Sequence, residues 1–404
     1  MAMIGKHTLS VLACMLLCML PSTAQTQHLT NRQINENILF APEHEAYRYG
    51  RKTDENGVGK AWFHRFGILH ISDVHQRNEN LQEAIEVAAG RVHAVLNTGD
   101  DANGVHATDA ETVKRELSAS TGTVAAYGSV PYLQVPGNHD VTGLTKKEYF
   151  DLVCTTVGRF SPSVVWGDRE GYRTYGYIDF TDGPYEGDFR IIMLDPFDYD
   201  DGLFGGTYKF ISAVFSQKQT DWLIDVLLDA ASKGLNVITM MHYSFGDSTV
   251  FNEEAANPDA TFCQDPFMIP DIIDAIQKKT CLRREYDDIK GISNVRIDRD
   301  FTDAPDLEFV AHLFGHIHSR NHYRCQRADG KKYDILMLGE SALGIPGTAL
   351  NNKHMERGTI TGIAFSALEI DVVEKAVYRV AYGAYRNHDK TDSPRTLKIP
   401  YRFD

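Results

Sequence analysis

Gly315-His316-Ile317-His318 follows an apolar run over residues 308–314 and sets two imidazoles two positions apart. In an extended chain such residues point to the same side, so both rings aim into one small volume at a strand end. Other short stretches offer matching donors: Asp73-Val74-His75, Gly99-Asp100, Gly137-Asn138-His139-Asp140 and His242. Carboxylate, amide and imidazole donors suit zinc, iron or manganese, and no thiolate stands among them. Asp73, His75, Asp100, Asn138, His242, His316 and His318 are seven candidates, more than one tetrahedral ion takes. Two ions roughly 3.5–4 Å apart, sharing a bridging carboxylate, would use the whole set.

The elements that must carry these residues alternate between strand and helix. Residues 66–72 are an apolar run of strand length, and Leu81, Ala84, Ile85 and Ala88 then recur at helical spacing. Residues 93–98 and 131–135 predict further strands, with a helix over 109–126 between them. Residues 190–194 predict a buried strand. Ser216 and Gln219 have the spacing of a capping box, Trp222, Leu223, Val226 and Leu227 make an apolar stripe, and Gly234 ends that helix. Residues 236–241, 308–314 and 334–338 are strands, and 362–381 alternates as antiparallel strands do. The pattern predicts an α/β fold with a largely parallel core. Such folds bind ligands beyond the carboxyl ends of their strands, where each of the seven candidates falls.

These stretches, in this order, resemble the calcineurin-like metallophosphoesterase family, and residues 219–227 resemble a helix that family often carries before its isolated histidine. The resemblance covers about residues 64–345. It implies an α/β sandwich of two mixed β-sheets packed together and flanked by helices. It also implies two divalent or trivalent transition-metal ions (Mn, Fe or Zn). Asp73, His75 and His318 would hold the first, Asn138, His242 and His316 the second, and Asp100 would bridge them. His139 would stay off the metals and act on the phosphate or the leaving group as the catalytic residue. The chemistry implied is in-line attack on phosphorus by water that the metals activate.

Departures narrow the subfamily. The place three residues after Asp100 is Asn103, where purple acid phosphatases have tyrosine and protein Ser/Thr phosphatases have aspartate. Asp140 stands where the latter have glutamate. An iron-tyrosinate is therefore not expected, and the aspartate that would orient His139 is missing. Asp101, Asp140 and the Asn103 amide are the candidates to replace it. The Gly99-Asp100-Asp101-Ala102-Asn103-Gly104 form resembles bacterial phosphodiesterases, so a diester substrate is favoured over a monoester or nucleotide. A non-catalytic metal- or phosphate-binding protein of the same fold is the rival of another class. Asn103, His106 and Arg320 are candidate substrate contacts, although a solvated loop also accounts for Arg320 and His322. Mid-strand His70 and His312 read as satisfied core residues.

The N-terminus carries an address. Lys6 precedes an apolar run over residues 9–20, and Ser22-Thr23-Ala24 suits cleavage after Ala24. Residues 1–24 are expected to be a signal peptide and the mature protein exported, periplasmic or secreted, with lipid anchoring at Cys14 or Cys18 disfavoured by their flanking residues. Residues 25–60 form an N-terminal extension. The domain spans 61–404, with insertions at about 141–188 and 244–307. The former is rich in aromatics and reads as packed rather than as a lid. No later segment is long and apolar enough to span a bilayer. Loss of Lys6 with the leader takes the net charge from −14 to −15. That excess repels polyanions, so the expected partner is a small phosphorylated molecule, not extended nucleic acid. Cys154, Cys263, Cys281 and Cys325 remain, an even number for which an oxidising compartment allows disulfides and burial allows free thiols.

Overall fold

A computed structural model describes residues 49–53, 59–63, 65–89, 91–105, 108–172, 174–198, 214–245, 267–287, 294–327, 329–344, 362–383 and 396–403. The expected leader, most of the N-terminal extension, His106 and Cys263 lie outside these residues.

The described chain begins with an antiparallel hairpin of β1 (Tyr49–Thr53) and β2 (Gly59–Phe63). β3 (Phe66–Ile71), α1 (Asn78–Ala88), β4 (Ala94–Asn97), α2 (Ala110–Tyr127) and β5 (Tyr132–Gln134) then form two βαβ units with β3, β4 and β5 parallel. The next segment coils through α3 (Lys146–Tyr149), a π-helical turn (Phe150–Cys154) and α4 (Thr155–Phe160). β6 (Val165–Trp166), β7 (Gly176–Phe180), β8 (Phe189–Met193), α5 (Gln217–Ser232) and β9 (Asn236–Met240) follow. After α6 (Met268–Lys278), β10 (Cys281–Asp287) and β11 (Asn294–Asp300) pair as a separate ribbon. β12 (Glu308–Phe314), β13 (Asn321–Gln326), β14 (Lys332–Gly339), β15 (Ala364–Asp371), β16 (Ala376–Gly383) and β17 (Thr396–Pro400) complete the chain.

Two mixed sheets result. One has six strands in the order β17-β16-β15-β3-β4-β5, and the other seven in the order β13-β14-β12-β9-β8-β7-β6. They make the expected sandwich. Phe66 of β3 stacks on Phe189 of β8 with ring centroids 4.4 Å apart, one of the contacts that join the sheets. β3, β4, β8 and β9 are buried on both faces, which explains why they read as unbroken apolar runs. The β10–β11 ribbon alternates buried and exposed instead, with Tyr286, Val295 and Ile297 inward. Tyr149, Phe150 and Tyr175 of the aromatic segment are buried, and Trp166 and Tyr177 pack against the core.

The helix caps show how local sequence meets tertiary need. Asp109 caps α2 by accepting from the Thr112 N–H at 2.8 Å. Ser216 likewise accepts from the Gln219 N–H at 3.0 Å. The expected return bond of the capping box is replaced. The Gln219 amide accepts from the Asp195 N–H and donates to the Asp195 carbonyl, both at 2.8 Å. Gln219 is fully buried, so its amide satisfies the loop after β8 rather than its own helix end. Cys154 and Cys325 are buried free thiols, and Cys281 is an exposed one. Among the described residues no helix is long and apolar enough to cross a membrane.

Candidate metal centre

The strands end in one place. β3 runs out at Ile71 and Asp73 follows, β4 at Asn97 before Asp100, β5 at Gln134 before Asn138, β9 at Met240 before His242, and β12 at Phe314 before His316. Parallel pairing continues past the strands, with Asp73 N–H donating to the Gly99 carbonyl at 2.8 Å and His75 N–H to that of Asp100 at 2.9 Å. Gly315 lets the last loop close on the first, because a Cβ there would sit 1.8 Å from Ser72 Oγ and 2.7 Å from Asp73 Oδ2.

Backbone strain concentrates here. Asp73, His75, Asp100, His316 and His318 have φ of 52°, 45°, 62°, 66° and 51°. The left-handed region costs a non-glycine residue roughly 1–2 kcal/mol. Such conformations persist where the surroundings over-determine them, as at ligand clamps. Five of them converging on one site aim side chains that relaxed loops would leave scattered.

Two groups emerge among the described residues. Asp73, His75 and His318 bring one donor atom each within 4.8 Å of one another, and so do Asp100, His242 and His316. In the first, His318 Nε2 is 3.2 Å and His75 Nε2 3.9 Å from Asp73 Oδ1. In the second, His242 Nε2 lies 3.1 Å from Asp100 Oδ2 and 2.9 Å from Asn138 Oδ1, which brings Asn138 into the group. The His242 ring is fixed by its Nδ1, which donates to the Thr98 carbonyl at 2.8 Å.

The carboxylates are each half used. Asp73 Oδ2 accepts from Ser72 Oγ at 2.5 Å and from the His316 N–H at 3.1 Å, while Oδ1 is buried without a hydrogen-bond partner. Asp100 Oδ1 accepts from the His139 N–H at 2.8 Å, while Oδ2 is likewise buried without one. Carboxylate oxygens at this depth are costly unless a positive charge meets them, and among the described residues only the histidine nitrogens face these two.

The electrostatics agree. Burial opposes ionisation of both aspartates, but His318 beside Asp73 and His242 beside Asp100 outweigh it and hold both carboxyls well below the usual carboxylate range. Burial in turn opposes protonation of His242, and Asp100 overrides it, raising that imidazole to about 9. His318 is raised in the same way by Asp73. His75 and His316 go the other way, lowered mainly by burial to about 4 and about 3. Each group thus draws positive charge to its carboxylate and keeps a neutral imidazole beside it. That donor set fits two borderline cations. Asp100 also acts on His75 and His318 of the first group, and Asp73 on His242 and His316 of the second, so the two groups share one electrostatic field.

His139 stands at the rim, its side chain 26% exposed and its Nε2 3.9 Å from Asp100 Oδ2. Its Nδ1 lies 2.8 Å from the Gly104 carbonyl, to which it donates. The orienting partner is therefore none of the three side chains considered from the sequence. Asp140 accepts instead from the N–H groups of Asp100, Ala102 and Gly137 at 2.9, 2.8 and 3.0 Å, binding the β4 and β5 loops together. Asp101 accepts from Asn97 at 2.7 Å and from Ser120. The two loops come this close only because residue 104 is glycine: a Cβ there would stand 2.3 Å from the His139 carbonyl.

The remaining candidates divide. Arg320 is not a solvated loop residue. It is buried, its Nε 2.8 Å from Glu340 Oε1 and its Nη2 3.0 Å from the Phe365 carbonyl, so its charge and donors serve the fold. Asn103 is exposed beside the site, its N–H donating to Glu116 at 2.9 Å. His322 is exposed on β13. His70 and His312 are buried as expected, the former 3.2 Å from Thr98 Oγ1 and the latter between Thr239 Oγ1 at 2.9 Å and the Tyr243 carbonyl at 3.0 Å.

A two-sheet α/β sandwich with two facing aspartate–histidine groups beyond its strand ends defines a class of metal-site proteins. A sequence profile of the calcineurin-like phosphoesterases matches residues 66–320, more than half of the chain, and the chain belongs to that family. Similar solved structures include a conserved protein of Streptococcus pneumoniae TIGR4 described as a predicted phosphoesterase, at 12% identity and TM-score 0.30, covering 83% of this chain and 97% of that one. Another is a structure of PhoD, at 10% identity and TM-score 0.42, covering 84% of this chain and 72% of that one. No curated protein matches the chain.

Proposed function

We propose that the protein is an exported, dinuclear-metal phosphoric ester hydrolase acting on a small phosphodiester. The observation that carries this reading is the pair of buried oxygens, Asp73 Oδ1 and Asp100 Oδ2, each met among the described residues only by histidine nitrogens, the nearest at 3.2 and 3.1 Å. Asp73, His75 and His318 would hold one ion, Asn138, His242 and His316 the other, and Asp100 would serve both. When bound, manganese, iron or zinc there would supply a water of near-neutral pKa and offset charge on the phosphoryl oxygens. The chain's own contribution lies in orientation. Asp100 Oδ1 holds the His139 N–H, and the Gly104 carbonyl holds Nδ1, so Nε2 is the ring nitrogen turned toward Asp100 Oδ2 at the rim. A proton on Nε2 can pass to a leaving oxygen and a lone pair there can take one back. The Gly99-Asp100-Asp101-Ala102-Asn103-Gly104 form supports the diester preference, and the apolar run over residues 9–20 followed by Ser22-Thr23-Ala24 supports export.

The test is to reconstitute purified mature protein with manganese, zinc or iron and assay chromogenic phosphate mono- and diesters. Diester turnover that His139→Ala lowers roughly 10²–10⁴-fold, with metal content unchanged, is expected of a positioned acid. Turnover of monoesters alone would move the assignment to a phosphomonoesterase or nucleotidase. Two bound metals with no turnover of any ester would make the protein a binding module on this fold.

A further inference from the structure

Arg320 and Glu340 form a buried ion pair behind the loop that carries His316 and His318. Their side chains are 2% and 0% exposed, with Nε 2.8 Å from Oε1. The same oxygen accepts from the Ser341 N–H at 2.9 Å, and the Ser341 hydroxyl lies 3.4 Å from the His318 carbonyl. Arg320 Nη2 reaches the Phe365 carbonyl on β15, in the opposite sheet, at 3.0 Å. The Glu340 N–H donates to the carbonyl of Phe314, the last residue of β12, at 3.1 Å. The pair therefore ties the exit of the loop to β12, β14 and β15 at once.

Burying two charges is a poor way to gain stability, since an apolar pair of similar volume often does as well. The placement of this pair points to another role. His316 is held at the front of the loop, by its N–H on Asp73 Oδ2 and by the Gly315 N–H on the His242 carbonyl at 3.0 Å. His318 lies further along, in the left-handed region, and the bonds just behind it are those of Arg320, Glu340 and Ser341. We propose that Arg320 and Glu340 are positioning residues for His318, holding its strained backbone so that its imidazole meets Asp73 and His75. This rests on the reading of those three residues as a metal site. A comparison lies within the chain: Arg190 is also buried, paired with Asp179 at 2.6 Å, but near the amino end of β8, at the opposite end of the parallel strands from the site.

Metal-free wild type and the variants Glu340→Gln, Arg320→Lys and Asp179→Asn would be titrated with Mn²⁺ at neutral pH by calorimetry, with thermal melts alongside. The binding step lost in His318→Ala marks the ion concerned. Glu340→Gln is expected to weaken that step about 10–100-fold, the usual effect of losing a group behind a metal ligand, and to spare the other ion. Arg320→Lys keeps the charge but cannot make both side-chain bonds, and should weaken the same step. Asp179→Asn should lower the melting temperature and leave both affinities unchanged. Wild type that binds no Mn²⁺ would remove the metal reading itself. Two ions bound by the wild type and bound equally well by folded Glu340→Gln and Arg320→Lys would overturn the positioning role alone. So would failure of both variants to fold, which would make the pair a folding element.

Discussion

Gly104→Ala tests how His139 is held. A Cβ on residue 104 would lie 2.3 Å from the His139 carbonyl oxygen and 2.6 Å from both Cβ and Oγ1 of Thr142. Ordinary contacts of a Cβ begin at 3.4 Å, so the two loops must part by about 1 Å. The bond from His139 Nδ1 to the Gly104 carbonyl is 2.8 Å, and the same displacement carries it beyond hydrogen-bonding range. Overpacking of this kind costs about 1–3 kcal/mol of stability. Misplacing a catalytic group by 1 Å costs roughly 10²-fold in rate. The loop's other anchors survive, because Asp140 holds the N–H groups of Asp100, Ala102 and Gly137 independently of residue 104. The assay is kcat for esters with leaving groups of graded pKa, with elemental analysis of each preparation. The loss should be near 10²-fold for poor leaving groups, small for good ones, and unaccompanied by metal loss. Full activity on poor leaving groups would show that the carbonyl does not hold a working histidine. Loss of metal would show that Gly104 shapes the centre itself.

Elemental analysis of reconstituted protein should approach two transition-metal ions per chain, and Asp100→Asn should lower occupancy and activity together; a folded wild type that stays metal-free would end this reading. Asp195, which follows β8 at the same strand end as His242 follows β9, offers a pH test. Burial and neighbouring Asp198, partly offset by Lys146, push its carboxyl up to about 6 from an ordinary value of 3.8. The folded value is the higher, so the protonated form is favoured in the fold, and stability is lost as pH rises from about 4 through 6. Asp195→Asn should therefore be more stable than wild type at pH 8, by at most ~3 kcal/mol, and equal to it near pH 4, as read from denaturant melts. An unchanged difference across that range would refute the assignment. N-terminal sequencing of the native protein should begin at or near Gln25, and intact Met1 in a cytoplasmic fraction would contradict export.

The gathering of Asp73, His75, Asp100, Asn138, His242, His316 and His318 was legible in the sequence because each follows an apolar run of strand length. Alternation with helices makes such runs parallel, and parallel strands bring their carboxyl ends to one edge. Segment type and residue type were enough for that much. They were not enough for what acts through the backbone. Nothing in residue type marks the Gly104 carbonyl as the partner of His139, since every residue has a carbonyl, and only the close approach of the β4 and β5 loops selects this one. The left-handed conformations at Asp73 and His318 are equally silent, because non-glycine residues take them only when tertiary contacts impose them.

Arg320 shows the same division for a charge. From the sequence it stands two residues past His318 and reads as a solvated loop residue, with phosphate as the other candidate partner. Its burial depends on Glu340, which β13 and β14 bring back beside it, and on Phe365 from the opposite sheet. Gln219 likewise has the spacing of a capping box, yet its amide turns to Asp195 because the loop after β8 is packed against the helix start. Sequence by itself determined which side chains reach the strand ends, through local periodicity. Tertiary structure alone decided which of their polar groups are already satisfied and which are left for a ligand, because hydrogen bonding in a buried site depends on segments far apart in the chain.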